Sequence, residues 1–345
     1  MPRATVVIPN YNHAKYLPQR IESVLDQTFR DIEVLVLDDA SPDNSREVIE
    51  SYAKADSRVR TIFNERNSGS TFLQWNRGLR QAKGEYIWFA ESDDFADPSL
   101  LETLVGLLDD HPAVGLAMCQ SWFVDRDGRL MCKYSEKVKE HRCFSGVSRW
   151  TEDFVCSGRE YCADFLAYRS TIPNASSVVF RRSVLEAVGG APVDMRYLGD
   201  YMTYVKVLLL SDIAYTARPL NYFRQHPETV RGRHQRQDSW ITDYRKVQRL
   251  LTDNLGVPER DGNFYELLPG HVGYIIGEER RPPSNKVPLR VSLQLLPRFA
   301  RLDPRAFRIA LRMFLKEWAA SLAGILGLLG IARKARMVVA GGKGR

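Results

Sequence analysis

Four short apolar runs, each ending in a polar cluster and each followed by a helix-spaced segment, constrain this chain more than any other feature. They are residues 5–9, 32–37, 59–63 and 86–90. After the first run, Leu17, Ile21, Val24 and Leu25 recur at the interval of one helix face. Strands alternating with helices make βαβ units, so the chain predicts an α/β fold with a mainly parallel, Rossmann-like sheet flanked by helices.

In such sheets ligands sit beyond the carboxyl ends of the strands. The polar clusters fall there: Asn10, Tyr11 and Asn12; Asp38 and Asp39; Asn67 and Gly69; Asp93 and Asp94. The fourth run leads into Glu91-Ser92-Asp93-Asp94, three acids at one strand end. Crowded carboxylates repel one another unless a cation or ligand neutralises them. Their hard oxygens suit Mg²⁺ or Mn²⁺, ions that bridge protein to a diphosphate. For that pair taken alone, turn and cap roles are the alternative. Four strand ends in agreement argue for a nucleotide-type pocket. No GxGxxG and no GxxxxGK[ST] occurs in these loops, so a Rossmann dehydrogenase and a P-loop enzyme lose their main support.

Composition places the chain among globular proteins with ample core: 345 residues, 44% hydrophobic. The net charge of +7 is uneven. From Arg301 onward ten basic residues face two acids, Asp303 and Glu317, so that tail holds +8 and the rest about −1. Such a tail points to a local anionic surface and away from nucleic acid. The five cysteines form no CxxC pair. With no signal peptide before Thr5, reduced thiols and a cytoplasmic location are expected.

Ordered short motifs now carry a resemblance. Val7-Ile-Pro-Asn-Tyr-Asn12, Leu37-Asp-Asp-Ala-Ser41, Asn67-Ser-Gly69, Asn76-Arg-Gly78, Ala82-Lys-Gly-Glu-Tyr86 and Glu91-Ser-Asp-Asp94 stand in the order seen in family 2 glycosyltransferases. Over residues 4 to about 120 the chain resembles the nucleotide-sugar-binding half of that family. The resemblance implies an A-type glycosyltransferase fold and inverting transfer with a divalent metal. It gives Pro9, Tyr11, Asn12, Asp39, Asn67, Gly69 and Asp93 to the nucleotide sugar. Tyr11 and Asp39 would hold the base, Asp93 would lie near the ribose, and Asp94 would carry the metal. Two departures stand out: Glu91 where many members have Asp, and Trp75 where many have Arg. The second removes a phosphate contact for which Arg66 or Lys83 are possible substitutes.

Beyond residue 120, Asp125-Arg-Asp-Gly128 signals a turn between extended segments, and residues 131–170 lack clear periodicity. They read as an acceptor-facing insertion, or as a surface loop. Asp200 heads an amphipathic helix, where an acid is an ordinary cap. By resemblance it is the catalytic base, with Gly199 standing where relatives usually have Glu. Asn221-Tyr-Phe-Arg-Gln-His226 resembles a Tyr-x-Arg-x-His element, which implies Arg224 at the diphosphate and His226 at the metal. A lone histidine is more often structural. Residues 231–236 are basic, 238–268 are helical in pattern, and 281–285 form a linker. In the tail, Phe307, Leu311, Phe314, Trp318, Leu322, Ile325 and Leu329 make one apolar stripe with basic flanks. That reads as an interfacial anchor on anionic lipid, the alternatives being packing on the domain or a dimer contact.

The expected organisation is therefore a catalytic domain over 1–230 (donor half 1–120, acceptor half 121–230), a helical extension over 231–285 and a basic tail over 286–345. The expected function is transfer from a UDP- or dTDP-type sugar to a glycan or lipid-linked acceptor. The expected place is peripheral, on the inner face of the cell membrane. A non-catalytic nucleotide- or sugar-binding subunit of a membrane assembly is the alternative.

Overall fold

The computed structural model describes residues 1–139, 148–226 and 239–256, with 308, 311, 312 and 315 as isolated positions. The chain divides into two compact units, one of residues 1–234 with 239–259 and one of 235–238 with 260–345. The basic segment 231–236, the linker 281–285 and, apart from Leu311, the apolar stripe of the tail lie outside the described residues, as do 140–147 and 257–268.

The first half alternates as the sequence predicts. Its strands are β1 (Ala4–Asn10), β2 (Ile32–Asp38), β3 (Val59–Phe63) and β4 (Tyr86–Phe89). Its helices are α1 (Leu17–Leu25), α2 (Ser45–Ala55) and α3 (Thr71–Gln81). Every residue of β1 and β2 is buried, which is why they read as unbroken apolar runs and not as alternation. Pro18 stands in the first turn of α1, where its missing N–H costs nothing. The helix turns Leu17, Arg20, Ile21 and Val24 inward. Of these, Leu17, Ile21 and Val24 join Val6, Ile8, Val34 and Val36 in one core. Each such fully buried side chain contributes about 1.5–3 kcal/mol.

Next come β5 (Phe95–Ala96), α4 (Leu100–Asp110), β6 (Val114–Val124), β7 (Leu130–Lys133) and α5 (Tyr134–Lys139). Then follow β8 (Phe154–Cys156), α6 (Gly158–Tyr161), β9 (Val178–Arg181) and α7 (Arg182–Ala187). The order ends with α8 (Gly199–Leu210), β10 (Asp212–Arg224) and a helix labelled here α9 (Ser239–Leu255). In the sequence Asp97-Pro98 has the form of an N-cap followed by a proline at the first helical position, but α4 begins at Leu100. Ser99 is its N-cap, and Asp97 instead accepts hydrogen bonds from Ser99 N at 2.9 Å and Ser99 Oγ at 2.6 Å.

The ten strands form one sheet in the order β3-β2-β1-β4-β9-β6-β10-β5, with β7 beside β6 and β8 beside β10. β3, β2, β1 and β4 are parallel neighbours. β9 runs against both β4 and β6, while β6 and β10 are parallel to each other. Six long strands therefore share one direction, and β9 is the reversed wedge between them. Their carboxyl ends open on the same side, which brings the tips of β1, β2, β4 and β10 to one edge. Among the described residues no helix is long and apolar enough to cross a membrane.

Candidate active site

The tips of β1 and β2 are tied by one serine. Ser41 Oγ donates to Asp38 Oδ1 at 2.5 Å and accepts from Asn12 N at 2.9 Å, while Asn10 Nδ2 donates to Asp38 Oδ1 at 2.7 Å. Asn12 (φ 59°) and Ala40 (φ 57°) both lie in the left-handed region, a strain that collects at functional loops. Tyr11 is 41% exposed at this rim, whereas Pro9 is buried within β1.

Asp39 is 4% exposed. It accepts from Asn64 Nδ2 at 2.5 Å, Ser68 Oγ at 2.7 Å, Ser68 N at 2.9 Å and Gln74 Nε2 at 3.0 Å. Asn67 Oδ1 and Gly69 N close the intervening turn at 2.5 Å, with Gly69 at φ 69°. Asp39 thus sits in a corner framed by the β2 tip and the start of α3, and its N–H reaches the β1 tip at Asn10 O, 2.9 Å away.

The β4 tip is wired more densely. Its four residues each meet a different segment. Trp75 Nε1 donates to Glu91 Oε1 at 2.9 Å, and the Trp75 ring stacks on Phe89 at 4.4 Å. His13 Nδ1 pairs with Ser92 Oγ at 2.8 Å. His226 Nε2 lies 3.0 Å from Asp93 Oδ2. Asp94 accepts from Asn174 Nδ2 at 2.5 Å and from Arg224 N at 2.8 Å. Glu91 and Trp75, the two departures from the family pattern, are therefore partners: an indole N–H stands where a guanidinium was expected.

Arg224, 2% exposed, spends its donors within the protein. Nε reaches Asp93 O at 2.7 Å, Nη2 reaches Gln19 Oε1 at 2.6 Å, and Nη1 reaches Arg126 O at 3.0 Å. It pins β10 and the β6–β7 turn to the acidic tip. Sequence reasoning missed Arg20, whose signal was a cation on the apolar stripe of α1. Fully buried, it donates from Nε to Glu91 O at 2.8 Å and lies 3.9 Å from Asp94 Oδ2.

Burial drives the protonation of this cluster. It pushes the Glu91 carboxyl up to about 8 and, with the charge of Asp93, the Asp94 carboxyl up to about 7. Burial acts on Asp93 in the same sense, but the hydrogen bond from His226 and the charges of His13 and His226 outweigh it and hold Asp93 low. Burial also pulls Arg20 down to about 10 against the pull of Asp94, Asp93 and Glu91.

Asp200 stands in the first turn of α8, whose N-cap position belongs to Leu198. Its Oδ1 accepts from Tyr201 N at 2.7 Å. One turn on, burial and then the charges of Asp200 and Glu91 hold the pKa of the Tyr204 phenol well above its ordinary value. At Gly199 a Cβ would lie 2.5 Å from the Phe72 ring of α3, so this helix end packs where a side chain does not fit. α3 thereby touches three parts of the site: Asp39 through Gln74, Glu91 through Trp75, and α8 through Phe72.

His13, Asp93 and His226 can each offer one ligand atom, all within 4.8 Å of one another. His226, predicted for a metal, belongs to this set together with Asp93 and with His13, which the sequence reading passed over. Asp94, predicted to carry the metal, is not in this set and is bonded to Asn174 Nδ2 and Arg224 N.

Strand order, the reversed β9 and an acidic β4 tip at the open edge together define an A-type glycosyltransferase fold. Solved structures with that architecture include S. aureus TarS 1–349 in complex with UDP-GlcNAc, at TM-score 0.58 and 19% identity over 93% of this chain and 92% of that one. The mannosyltransferase PcManGT of Pyrobaculum calidifontis, in complex with GDP-Man and Mn²⁺, matches at TM-score 0.55 and 18% identity over 94% and 87%. Residues 5–158 match the model of glycosyl transferase family 2. Curated relatives include glycosyltransferase GlyG of Streptococcus pneumoniae, 42% identical over 29% of this chain and 33% of the relative. The GalNAc(5)-diNAcBac-PP-undecaprenol beta-1,3-glucosyltransferase of Campylobacter jejuni is 28% identical over 54% of each. The match thus spans a third to about half of these two relatives.

Proposed function

We propose that this protein transfers a sugar from a nucleoside-diphosphate sugar to an acceptor hydroxyl, with inversion at the anomeric carbon and with a divalent cation. The observation that carries this reading is the gathering of Asp39, Glu91, Asp93, Asp94 and His226 at one edge of a family 2 sheet. Asp39 and Tyr11 frame the base corner, and His13, Asp93 and His226 are the residues that would hold the ion. When bound, the ion supplies charge neutralisation for the departing diphosphate. Asp200 takes the proton of the acceptor hydroxyl at its carboxylate as that oxygen attacks opposite the leaving group. Arg224 and Arg20 keep the β4 tip in place, so that donor and acceptor meet in fixed orientation.

The acceptor is proposed to be a glycan or a lipid-linked glycan at the inner membrane surface. The basic tail supports this, as does the undecaprenol-linked substrate in the name of the Campylobacter relative. The deciding experiment is a donor screen with Mn²⁺ that follows nucleotide release, run on the wild type and on Asp200→Asn. The variant is expected to bind donor and to lose about 10²–10⁴-fold in transfer, the range of a general base. Undiminished turnover would remove Asp200 from that role. Donor binding by the wild type with no release of nucleotide would favour the non-catalytic binding subunit.

A further inference from the structure

We infer that Asp243 of α9 is a positioning residue for Asp200: it fixes the backbone from which α8 starts, and with it the carboxylate that takes the acceptor's proton. The inference rests on the proposed function for the role of Asp200. Asp243 stands near the start of α9 and is 3% exposed. Its Oδ2 accepts from three consecutive backbone N–H groups, Arg196 at 3.0 Å, Tyr197 at 2.9 Å and Leu198 at 3.4 Å. Leu198 is the N-cap residue of α8, and Asp200 lies in the first turn of that helix. Successive N–H groups converging on one point form a cradle for an anion, and here a side chain of the same protein fills it.

α9 can hold α8 because α9 is itself anchored. Tyr244, Val247 and Leu251 recur at helical spacing and are buried. Tyr244 Oη donates to Tyr168 O at 3.3 Å, and Arg159 Nη2 donates to Asn254 O at 2.5 Å near the other end of the helix. Lys246 Nζ reaches Asp194 Oδ2 at 2.5 Å and Asp194 O at 3.1 Å, so the grip on the segment before α8 runs from residue 194 to residue 198. Phe72 of α3 also closes on Gly199 and leaves no room for a Cβ. The first turn of α8 is thus held by both α3 and α9. A general base must stay within hydrogen-bond reach of the proton it takes, and a displacement of about 1 Å can cost roughly 10²-fold in rate.

The test compares the full-length wild type with Asp243→Leu, which keeps the size and removes the acceptor, and with Asp243→Asn, which keeps one acceptor oxygen. Hydrogen exchange without substrate is expected to quicken by about tenfold over residues 194–202 in Asp243→Leu and to stay unchanged in β1 and β2. In transfer assays Asp243→Leu should lose about 10²-fold in kcat at an unchanged KM for the donor, and Asp243→Asn should recover most of that loss. In an Asp200→Asn background Asp243→Leu should cost nothing further, because the group it positions is gone. A role in general stability would instead add its cost in both backgrounds. Unchanged exchange, additive losses or full transfer by Asp243→Leu would each overturn the inference. Should Asp243→Leu not fold, Asp243→Asn carries the test: a few-fold loss in kcat that vanishes with Asp200→Asn is expected, and one that persists overturns it. The two readings fail separately. A wild type that turns over no better than Asp243→Leu's full activity defeats this inference alone, whereas a wild type that binds donor and releases no nucleotide defeats the transferase reading, with the exchange result still reporting on the hold at α8.

Discussion

Glu91 shows how a single side chain can set the pH response of the molecule. Its carboxyl is raised from 4.5 to about 8. The folded state therefore keeps a proton that the unfolded chain releases above its ordinary value, and stability falls as pH rises from about 4.5 toward 8. Glu91→Gln removes that dependence. In the presence of EDTA, urea melts at pH 5 and pH 8 should show the wild type losing roughly 3–4 kcal/mol relative to the variant. An equal loss in both would show that Glu91 keeps its charge. At this scale the sequence was legible where polar residues end apolar runs, which puts Asp39 and Asp93 just past the β2 and β4 strands. It was less so where a residue works through a distant partner. Trp75 reads as a missing cation until Glu91 lies 2.9 Å from its indole, 16 positions along. His13 was hidden among ordinary loop residues, because its partners Asp93 and His226 come from segments far along the chain.

Elements were legible in proportion to how local their causes are. The first four strands announce themselves as apolar runs and end within a residue of where they are predicted, and the three helices between them announce themselves by apolar spacing. β5, two residues long, exists only because β10 passes antiparallel to it, with Asn221 opposite Ala96 and Tyr222 opposite Phe95. β8 likewise needs β10 as its partner. The insertion over 131–170 shows no period in its sequence, and among its described residues Trp150 and Tyr161 are held by buried polar contacts. Tyr161 Oη links Trp150 Nε1 at 3.3 Å to Thr171 Oγ1 at 2.9 Å, and Tyr215 Oη donates to Trp150 O at 3.0 Å. α6 also depends on contact. A Cβ on Gly158 would lie 2.0 Å from Ser211 O and 2.3 Å from Leu208 O, both backbone atoms that cannot swing aside. Gly158→Ala should therefore push α6 off the end of α8 and cost about 1–3 kcal/mol, read as a lower denaturant midpoint. An unchanged midpoint would mean that α6 shifts freely.

For the whole molecule, charge is the property that sequence reports best. The tail from Arg301 holds a net +8 while the remainder is near neutral, so the protein should present one strongly cationic end. Full-length protein is expected to float with anionic vesicles and to be released as salt shortens the screening length from about 10 Å toward 3 Å. A protein ending at residue 302 should stay behind while keeping its thermal response to nucleotide sugars. Flotation by the shortened protein would move the anchor into the first unit.

The β4 tip has a further consequence for folding. Glu91, Ser92, Asp93 and Asp94 are secured by α3, the loop after β1, the segment past β10 and the turn before β9, regions that span the first unit from residue 13 to residue 226. No fragment can assemble the pocket early and wait for the rest. The hollow comes into being only as the distant ends of the domain close on it, so damage to packing far away is felt as lost chemistry.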